Sequence, residues 1–70
     1  MLVLHGCYVR PLEVRPDFIH KNKFCIVLRE LEHNELWIIT AQRVIDSVNP
    51  ADAWKNRHKL WPDLFPRKEG

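Results

Sequence analysis

Apolar and polar residues alternate most clearly in the middle of the chain, where two strand-like runs flank a short polar stretch. Residues 23–31 and 36–41 are rich in β-branched and aromatic side chains, and residues 32–35 between them are all polar. This pattern is typical of two antiparallel strands joined by a turn. The sequence therefore predicts a β-hairpin over about residues 23–42.

The register of this hairpin depends on its turn. A two-residue turn at His33 and Asn34 places Leu28 opposite Ile39. The alternative is a four-residue loop, because His33 is a poor residue for the positive φ that a two-residue turn requires. In the two-residue register, one face is the more apolar and is predicted to meet the core; it carries Phe24, Ile26, Leu28, Trp37, Ile39 and Ala41.

The N-terminal segment is also strand-like, but Gly6 and Pro11 interrupt it. Proline cannot donate a hydrogen bond to a sheet, so Pro11 places this segment at a sheet edge or at a bulge. We expect one edge strand here, or two short ones. A turn follows, in which Asp17 can cap a short helical turn.

The strongest helix signal lies in the C-terminal third of the chain. Asn49 is a favoured N-cap, and Pro50 is favoured at the first helical position. Pro62 excludes helix at the residue before it. We predict a helix over about residues 50–61, and residues 43–48 fit either a helical turn or an extension of the second hairpin strand.

These elements predict an α+β domain, in which one C-terminal helix packs on a small antiparallel sheet formed by the hairpin and the N-terminal edge strand. The domain covers residues 1–61, and residues 62–70 form a basic tail with two prolines. The longest apolar run has only five residues, whereas a membrane-spanning helix needs roughly 20. No basic stretch precedes the apolar N-terminus, so we predict a cytoplasmic protein without a signal peptide or membrane segment.

Two cysteines, Cys7 and Cys25, lie 18 positions apart in strand-like surroundings. In a reducing compartment such residues are buried free thiols that pack as small apolar side chains. Export would allow a single disulfide between them. The sequence favours the free thiols.

Charge is distributed unevenly along the chain. Up to Trp54 there are six basic and seven acidic side chains, and from Lys55 onward there are five basic and two acidic ones. The formal net charge of +2 is too small to indicate nucleic-acid binding by itself. The basic C-terminal quarter is interpreted either as a solvated surface or as a binding surface.

The chemical motifs of the large enzyme classes are absent. The closest pair of potential metal ligands is His5 and Cys7, which does not match the spacing of a zinc site. No phosphate-binding glycine loop, zinc-protease motif or serine nucleophile motif occurs. We therefore predict no metal, cofactor or catalytic residue. Metal-free RNA cleavage is the enzymatic alternative, because it needs only an acid or base and a cation; the candidates are Arg29, Glu30, His33, Arg43 and His58.

The predicted helix presents the most informative surface. Trp54 and Trp61 are seven residues apart and share a helix face. Either both pack on the sheet, or Trp61, Leu64 and Phe65 form an exposed patch rimmed by basic residues. That composition suits a protein partner and also single-stranded nucleic acid. The candidate partner-binding residues are Trp54, Lys55, Arg57, His58, Lys59, Trp61, Phe65, Arg67 and Lys68.

The sequence thus favours a small non-enzymatic regulator or inhibitor that binds another protein through this basic and aromatic C-terminal surface. Its size is typical of regulators of phage, plasmid or bacterial type. A nucleic-acid-binding module that uses the same surface and a metal-free ribonuclease of toxin type are the alternatives. Because the N-terminal edge strand could pair with a second copy, a monomer and a homodimer are both compatible with the sequence.

Overall fold

A computed structural model describes residues 2–66 of the chain. Four antiparallel strands lie in the sheet in chain order: β1 (Leu2–Leu4), β2 (Cys7–Pro16), β3 (Phe24–Glu30) and β4 (Glu35–Thr40). Two short helices follow, α1 (Pro50–Lys55) and α2 (Arg57–Leu60). The predicted α+β class, an antiparallel sheet with C-terminal helical structure packed on it, is confirmed.

The N-terminal segment forms two strands joined by a two-residue turn. His5 and Gly6 occupy this turn with φ values of 51° and 78°, which is the turn geometry favoured between antiparallel strands. The short strand β1 is one edge of the sheet, β4 is the other, and β2 lies between β1 and β3. The register of β2 against β3 shifts between Pro11 and Glu13, which confirms the bulge that is one of the two placements predicted for Pro11.

Strands β3 and β4 form the predicted hairpin with the alternative, four-residue loop. Leu28 pairs with Trp37 instead of Ile39, so the register of the two-residue turn is wrong by two positions. A shift of two positions leaves every side chain on the same face of the sheet. The predicted core face is therefore confirmed: Phe24, Ile26, Leu28 and Ala41 are buried, and Trp37 and Ile39 pack partly against them.

A buried carboxylate explains the longer loop. Glu30 ends β3 and is completely buried, and its carboxylate accepts hydrogen bonds from the backbone N–H groups of Glu32 and His33. Asn34 takes the positive φ of 57°, which asparagine tolerates better than histidine does. These local bonds from side chain to backbone favour the four-residue loop over the two-residue turn.

The turn after β2 is organised by Asp17, as predicted, although no helix forms there. One carboxylate oxygen accepts hydrogen bonds from the backbone N–H groups of Ile19 and His20 at 2.9 and 3.2 Å. The other accepts a hydrogen bond from the hydroxyl of Thr40 at 2.6 Å. The Thr40 hydroxyl, followed by the backbone of the turn, holds the pKa of Asp17 well below its usual range. Asp17 thereby ties this turn to the end of β4.

The hydrophobic core lies between one face of the sheet and the helical segment. Ala53 of α1 and Leu60 of α2 are completely buried, and Trp61 and Leu64 after α2 are each 3% exposed. The indole Nε1–H of Trp61 donates a hydrogen bond to the backbone carbonyl of Ile39 at 3.0 Å. This bond satisfies the polar atom of the buried indole and joins the helical segment to β4. We call this side of the sheet the covered face.

The predicted single helix is two short helices. Its start is confirmed, because the Asn49 side chain accepts a hydrogen bond from the N–H of Ala51 at 3.0 Å and Pro50 follows the cap. The helix breaks at Asn56, whose side chain donates to the carbonyl of Asp52 at 2.8 Å. Asparagine competes for backbone groups in this way, which explains the break. Within residues 2–66, no helix has the length and apolar character needed to cross a membrane.

The segment between β4 and α1 has no regular structure, so residues 43–48 form neither of the two elements weighed for them. Ile45 packs partly against the core. The Ser47 hydroxyl donates a hydrogen bond to the Asp52 carboxylate at 2.6 Å. The segment is therefore attached at both the core and the first turn of α1.

Both cysteines are free, as favoured by the sequence. Cys25 is buried and Cys7 is half-buried. Cys25 pairs with Arg15, which is eight residues along β2 from Cys7 and therefore about 26 Å away. That distance is several times larger than a disulfide allows.

Candidate functional site

Three side chains near the C-terminus form one packed cluster, Trp54, Arg57 and Phe65, which we call the C-terminal patch. Trp54 is 39% exposed, and Phe65 is half-buried. The two rings meet edge to face, with centroids 5.3 Å apart and an interplanar angle of 83°. The Arg57 guanidinium lies 4.6 Å from the Trp54 centroid and 5.4 Å from the Phe65 centroid. The patch therefore combines an aromatic pair with a cation stacked on both rings.

The chain around the patch explains why these residues meet. Arg57 Nη1–H donates a hydrogen bond to the backbone carbonyl of Trp54 at 2.9 Å, at the C-terminal end of α1 where helical carbonyls lack partners. The backbone N–H of Phe65 donates to the carbonyl of Trp61 at 2.9 Å. This turn after α2 returns Phe65 to α1, where its ring meets that of Trp54.

Trp54 and Trp61 occupy different environments, which neither sequence interpretation anticipated. The predicted exposed patch is wrong for Trp61 and Leu64, because both fill the core beneath the helical segment. The interpretation that places both tryptophans in the core is wrong for Trp54, which lies before the break at Asn56. Since the break ends the shared helix axis, a spacing of seven residues no longer puts both rings on one face.

Basic side chains border the patch on one side. Lys55, Arg57 and His58 line a cavity of about 500 Å³ together with Leu2 of β1 and Phe65. Of the predicted partner-binding residues, these therefore belong to one surface with the aromatic pair.

The remaining predicted basic residues are placed differently. Lys59 lines another cavity together with Arg43, on a different side of the helical segment. Arg67 and Lys68 lie outside the described residues 2–66. Their part in the site stays a prediction.

A second cavity is lined by Trp54. It has a volume of about 360 Å³ and is lined by Pro11 and Leu12 of the β2 bulge and by Pro50 of α1. Leu12 is 48% exposed. Trp54 thus lines a recess of mixed polarity that includes Glu13, whereas Arg57 and Phe65 line the basic cavity.

A separate arrangement of chemical interest occupies the β3–β4 loop, residues 31–34. The Nδ1–H of His33 donates a hydrogen bond to the Glu30 carboxylate at 2.6 Å. The Glu30 side chain is completely buried, whereas the His33 side chain is 63% exposed. With Nδ1 held by Glu30, Nε2 is the ring nitrogen free to exchange a proton with a ligand.

The two groups shift each other's titration. Burial raises the pKa of the Glu30 carboxyl, but the hydrogen bonds from the His33 ring and from the backbone of the loop outweigh it and lower this pKa below its usual value. The hydrogen bond to Glu30, followed by its negative charge, raises the pKa of His33. The pair is therefore stabilised as an ion pair.

Of the five ribonuclease candidates, the structure brings three together. Arg29 Nη1–H donates a hydrogen bond to a backbone carbonyl of loop 31–34 at 3.1 Å, so Arg29 borders the same loop as the Glu30 and His33 pair. Arg43 and His58 line other cavities. A site that uses all five residues is therefore not formed.

The same loop also gathers potential metal ligands, since side-chain atoms of Glu30, His33 and Glu35 lie within 4.8 Å of one another. However, both carboxylate oxygens of Glu30 accept hydrogen bonds from the loop. A metal ion would have to replace these bonds. The contacts of the cluster are those of a carboxylate that orders a loop, and we assign no metal to it.

Sequence reasoning named the three members of the C-terminal patch but not their contacts. Arg57 follows Trp54 by three positions, and side chains at this spacing are neighbours on a helix, so this contact had a sequence signal. The contact with Phe65 depends on the turn after Trp61, for which no local pattern exists.

The chain matches no protein-family model, no curated protein and no solved structure to which it was compared.

Proposed function

We propose that the protein is a small non-enzymatic regulator or inhibitor that binds another protein through the C-terminal patch. The supporting observation is the packed cluster of Trp54, Arg57 and Phe65. Tryptophan and arginine are the residue types that most often dominate binding energy at protein interfaces. Because the three side chains already hold one another, binding them costs little additional conformational entropy.

The basic surroundings of the patch indicate the charge of the partner. Lys55 and His58 lie beside Arg57 around one cavity. Complementary charge raises the rate of association and selects among partners. We therefore expect the bound surface to combine an apolar side chain that enters a recess beside Trp54 with acidic residues around it.

A protein partner is favoured over single-stranded nucleic acid by the position of Arg57. Bases bind to such surfaces by stacking on free aromatic faces. The Arg57 guanidinium lies over the Trp54 ring at 4.6 Å from its centroid, so a base stacking on that face would have to displace the cation. The edge-to-face contact with Phe65 further reduces the ring surface that is accessible for stacking.

The proposal is tested by affinity capture with purified protein as bait, with and without nuclease and at two salt concentrations. We expect one protein to be retained after nuclease treatment and in high salt. Trp54→Ala and Arg57→Gln should each abolish its retention, whereas Val48→Ala, at a 92% exposed position elsewhere, should not. Circular dichroism and thermal unfolding of each bait establish that the variants are folded.

The outcomes separate the two partner classes. Loss of all retained material under nuclease, with binding that weakens steeply with salt, would favour nucleic acid instead. Retention of the same protein by wild type and by both patch variants would exclude the C-terminal patch as its binding surface. An Arg67→Ala, Lys68→Ala double variant tests whether the predicted basic tail contributes.

Metal-free RNA cleavage is the second candidate, and the Glu30 and His33 pair is the observation that favours it. A buried carboxylate that orients an exposed imidazole is a common arrangement for a general acid or base. Incubation with single-stranded RNA in the presence of a chelator tests this activity. His33→Ala should abolish cleavage and His58→Ala should not; equal cleavage by wild type and His33→Ala would contradict this role.

A further inference from the structure

Much of the side of the sheet opposite the helices is exposed within the described part of the chain, although Cys25 and Val27 on that side are buried. Side chains alternate between the two faces along each strand, and the main hydrophobic cluster lies on the covered face. The strand registers bring the remaining side chains together on what we call the open face. The open face is built around Val3, Tyr8, Arg10, Arg29, Leu36 and Ile38.

The apolar part of the open face is unusually exposed. Tyr8, Leu36 and Ile38 are 57–58% exposed, and Val3 is 48% exposed. Ile38 pairs with Val27 of the inner strand β3. Val27 itself is buried, with 7% exposure. Antiparallel sheets with one solvated face ordinarily carry polar side chains there. Large apolar side chains that are exposed together on one face indicate an interaction surface.

Two arginines lie in the middle of this surface. Arg10 and Arg29 are directly opposite each other on β2 and β3, and like charges in this position destabilise a sheet. Among residues 2–66, neither has a carboxylate within salt-bridge distance. By contrast, Arg15 on the same face pairs with Glu13 at 3.3 Å. Arg29 also donates to the neutral backbone carbonyl of Asn34, which leaves its charge uncompensated. The row formed by Arg10 and Arg29 therefore has positive charge available for a partner.

We propose that the open face binds an amphipathic helix of a partner protein that carries acidic residues beside its apolar stripe. The apolar stripe would cover Tyr8, Leu36 and Ile38, and the acidic residues would pair with Arg10 and Arg29. A guanidinium binds a carboxylate through two parallel hydrogen bonds, which makes an acidic side chain the natural complement. A helix is the element that already packs on the covered face of this sheet.

Other occupants fit the open face less well. A second copy would bring four arginines together, two from each protomer, while Glu13 on this surface already pairs with Arg15. Nucleic acid would find one aromatic ring, Tyr8, among aliphatic side chains, whereas base stacking requires several rings. The open face also lies opposite the helical segment that carries Trp54, so this site is independent of the C-terminal patch.

The test uses three fluorescent peptides of about 16 residues, each roughly 24 Å long as a helix, which is enough to cross the sheet. All share one leucine stripe, and its flanking positions are glutamate, glutamine or lysine. Fluorescence anisotropy measures their affinity for the full chain. We expect the glutamate peptide to bind most tightly and the lysine peptide most weakly.

Charge reversal identifies the binding surface. In the double variant Arg10→Glu, Arg29→Glu, the affinity for the glutamate peptide should fall by about tenfold or more. This variant should instead bind the lysine peptide most tightly. The control Lys21→Glu, Lys59→Glu changes the net charge equally at exposed positions outside the open face and should preserve the order. If the charge reversal impairs folding, Arg10→Gln, Arg29→Gln should remove the preference without inverting it.

Apolar variants complete the test. Ile38→Asp should abolish binding of all three peptides, whereas the matched control Val48→Asp, at a 92% exposed position outside the sheet, should leave binding unchanged. Equal affinity for the three peptides, no saturable binding, or an unchanged order in the charge-reversal variant would overturn the proposal. Dimerisation that Ile38→Asp prevents would assign the face to a second copy, and tighter binding of a uridine oligomer would assign it to RNA.

Discussion

The two faces of the sheet place the same kind of residue in opposite environments. Ile26 on β3 is completely buried beneath the helical segment, whereas Ile38 on the adjacent strand β4 is 57% exposed. Both positions suit a strand, since isoleucine is among the best strand formers. The difference lies in what covers them. Strand patterning can therefore reveal an apolar face without revealing whether the chain itself covers that face.

Charged residues differ between the faces in the same way. Within residues 2–66, Glu30 is the buried charged side chain, and its carboxylate accepts hydrogen bonds from the adjoining loop. Arg10 and Arg29 on the open face lie opposite each other without a carboxylate partner in that part of the chain. Glu30 on the covered face is thus satisfied internally, whereas Arg10 and Arg29 leave positive charge uncompensated on the open face.

The largest expected effect comes from truncating the same residue type on each face. Ile26→Ala should lower the free energy of unfolding by about 2–5 kcal/mol, because it leaves a cavity in the core. Ile38→Ala should cost less than about 1 kcal/mol, because its side chain is mostly solvated. Urea unfolding of both variants measures the difference. Equal losses would show that the open face is covered in solution.

The Glu30 and His33 pair should make stability depend on pH in two directions. The pKa of His33 is raised above its ordinary value of 6.5, so its contribution is complete below that pH and is lost as the pH rises through the folded-state value. The pKa of Glu30 is lowered from 4.5, so its contribution is complete above that pH and is lost on acidification.

The window between these two values is therefore where the pair stabilises the fold most. Thermal unfolding of wild type and His33→Gln should differ most between pH 4.5 and 6.5, and the difference should shrink on acidification below this window and on alkalinisation above it. His33→Gln retains the backbone N–H that Glu30 also binds, so the loop itself is preserved. The same difference at every pH would contradict the ion pair.

Asp17 should make the stability of the fold depend on pH in one direction only, with a loss on acidification. Its main partner is the Thr40 hydroxyl at the end of β4. Because its pKa is lowered from 3.8, its contribution is complete above that pH and is lost as the pH falls. Thr40→Val removes the donor, so its melting temperature should approach that of wild type on acidification below about pH 4. Thr40→Ser retains the hydroxyl and should follow wild type throughout.

The smallest expected effect is a gain. Arg10→Gln removes one of two like charges that lie directly opposite each other, and should raise the free energy of unfolding by about 0.2–1 kcal/mol. The gain should largely disappear in about 1 M salt, which screens exposed charges. The same variant should weaken binding of the acidic peptide. A loss of stability would instead show that Arg10 has a favourable partner within the chain.

Local sequence signals predicted the elements of this fold but not their termination. The hairpin and the start of the helix depend on neighbouring residues such as Asn49 and Pro50 and were predicted correctly. The break at Asn56 and the four-residue loop depend on individual hydrogen bonds from Asn56 and Glu30. Alternation and helical spacing contain no information about such bonds.

The sequence predicted which residues form the C-terminal patch, but it predicted only part of how they are arranged. Arg57 and Trp54 were named, and a spacing of three makes them neighbours on the predicted helix, although in the structure they meet across the break at Asn56. Trp61 was named as an exposed candidate, but its indole donates to the carbonyl of Ile39 in the core. The open face was missed because Arg10 and Arg29 are 19 positions apart in a region whose total charge is nearly balanced.

By itself, the sequence determined which residues form strands and helix and which strand positions share a face, because these properties follow from local propensity, capping and a period of two. Only the tertiary structure decided which face the helices cover, which tryptophan is buried and which arginines meet. Those outcomes depend on contacts between residues distant in the chain, such as Trp61 with Ile39 and Arg10 with Arg29. Two faces with similar strand propensity thereby acquire different roles, one in folding and one, as we propose, in binding.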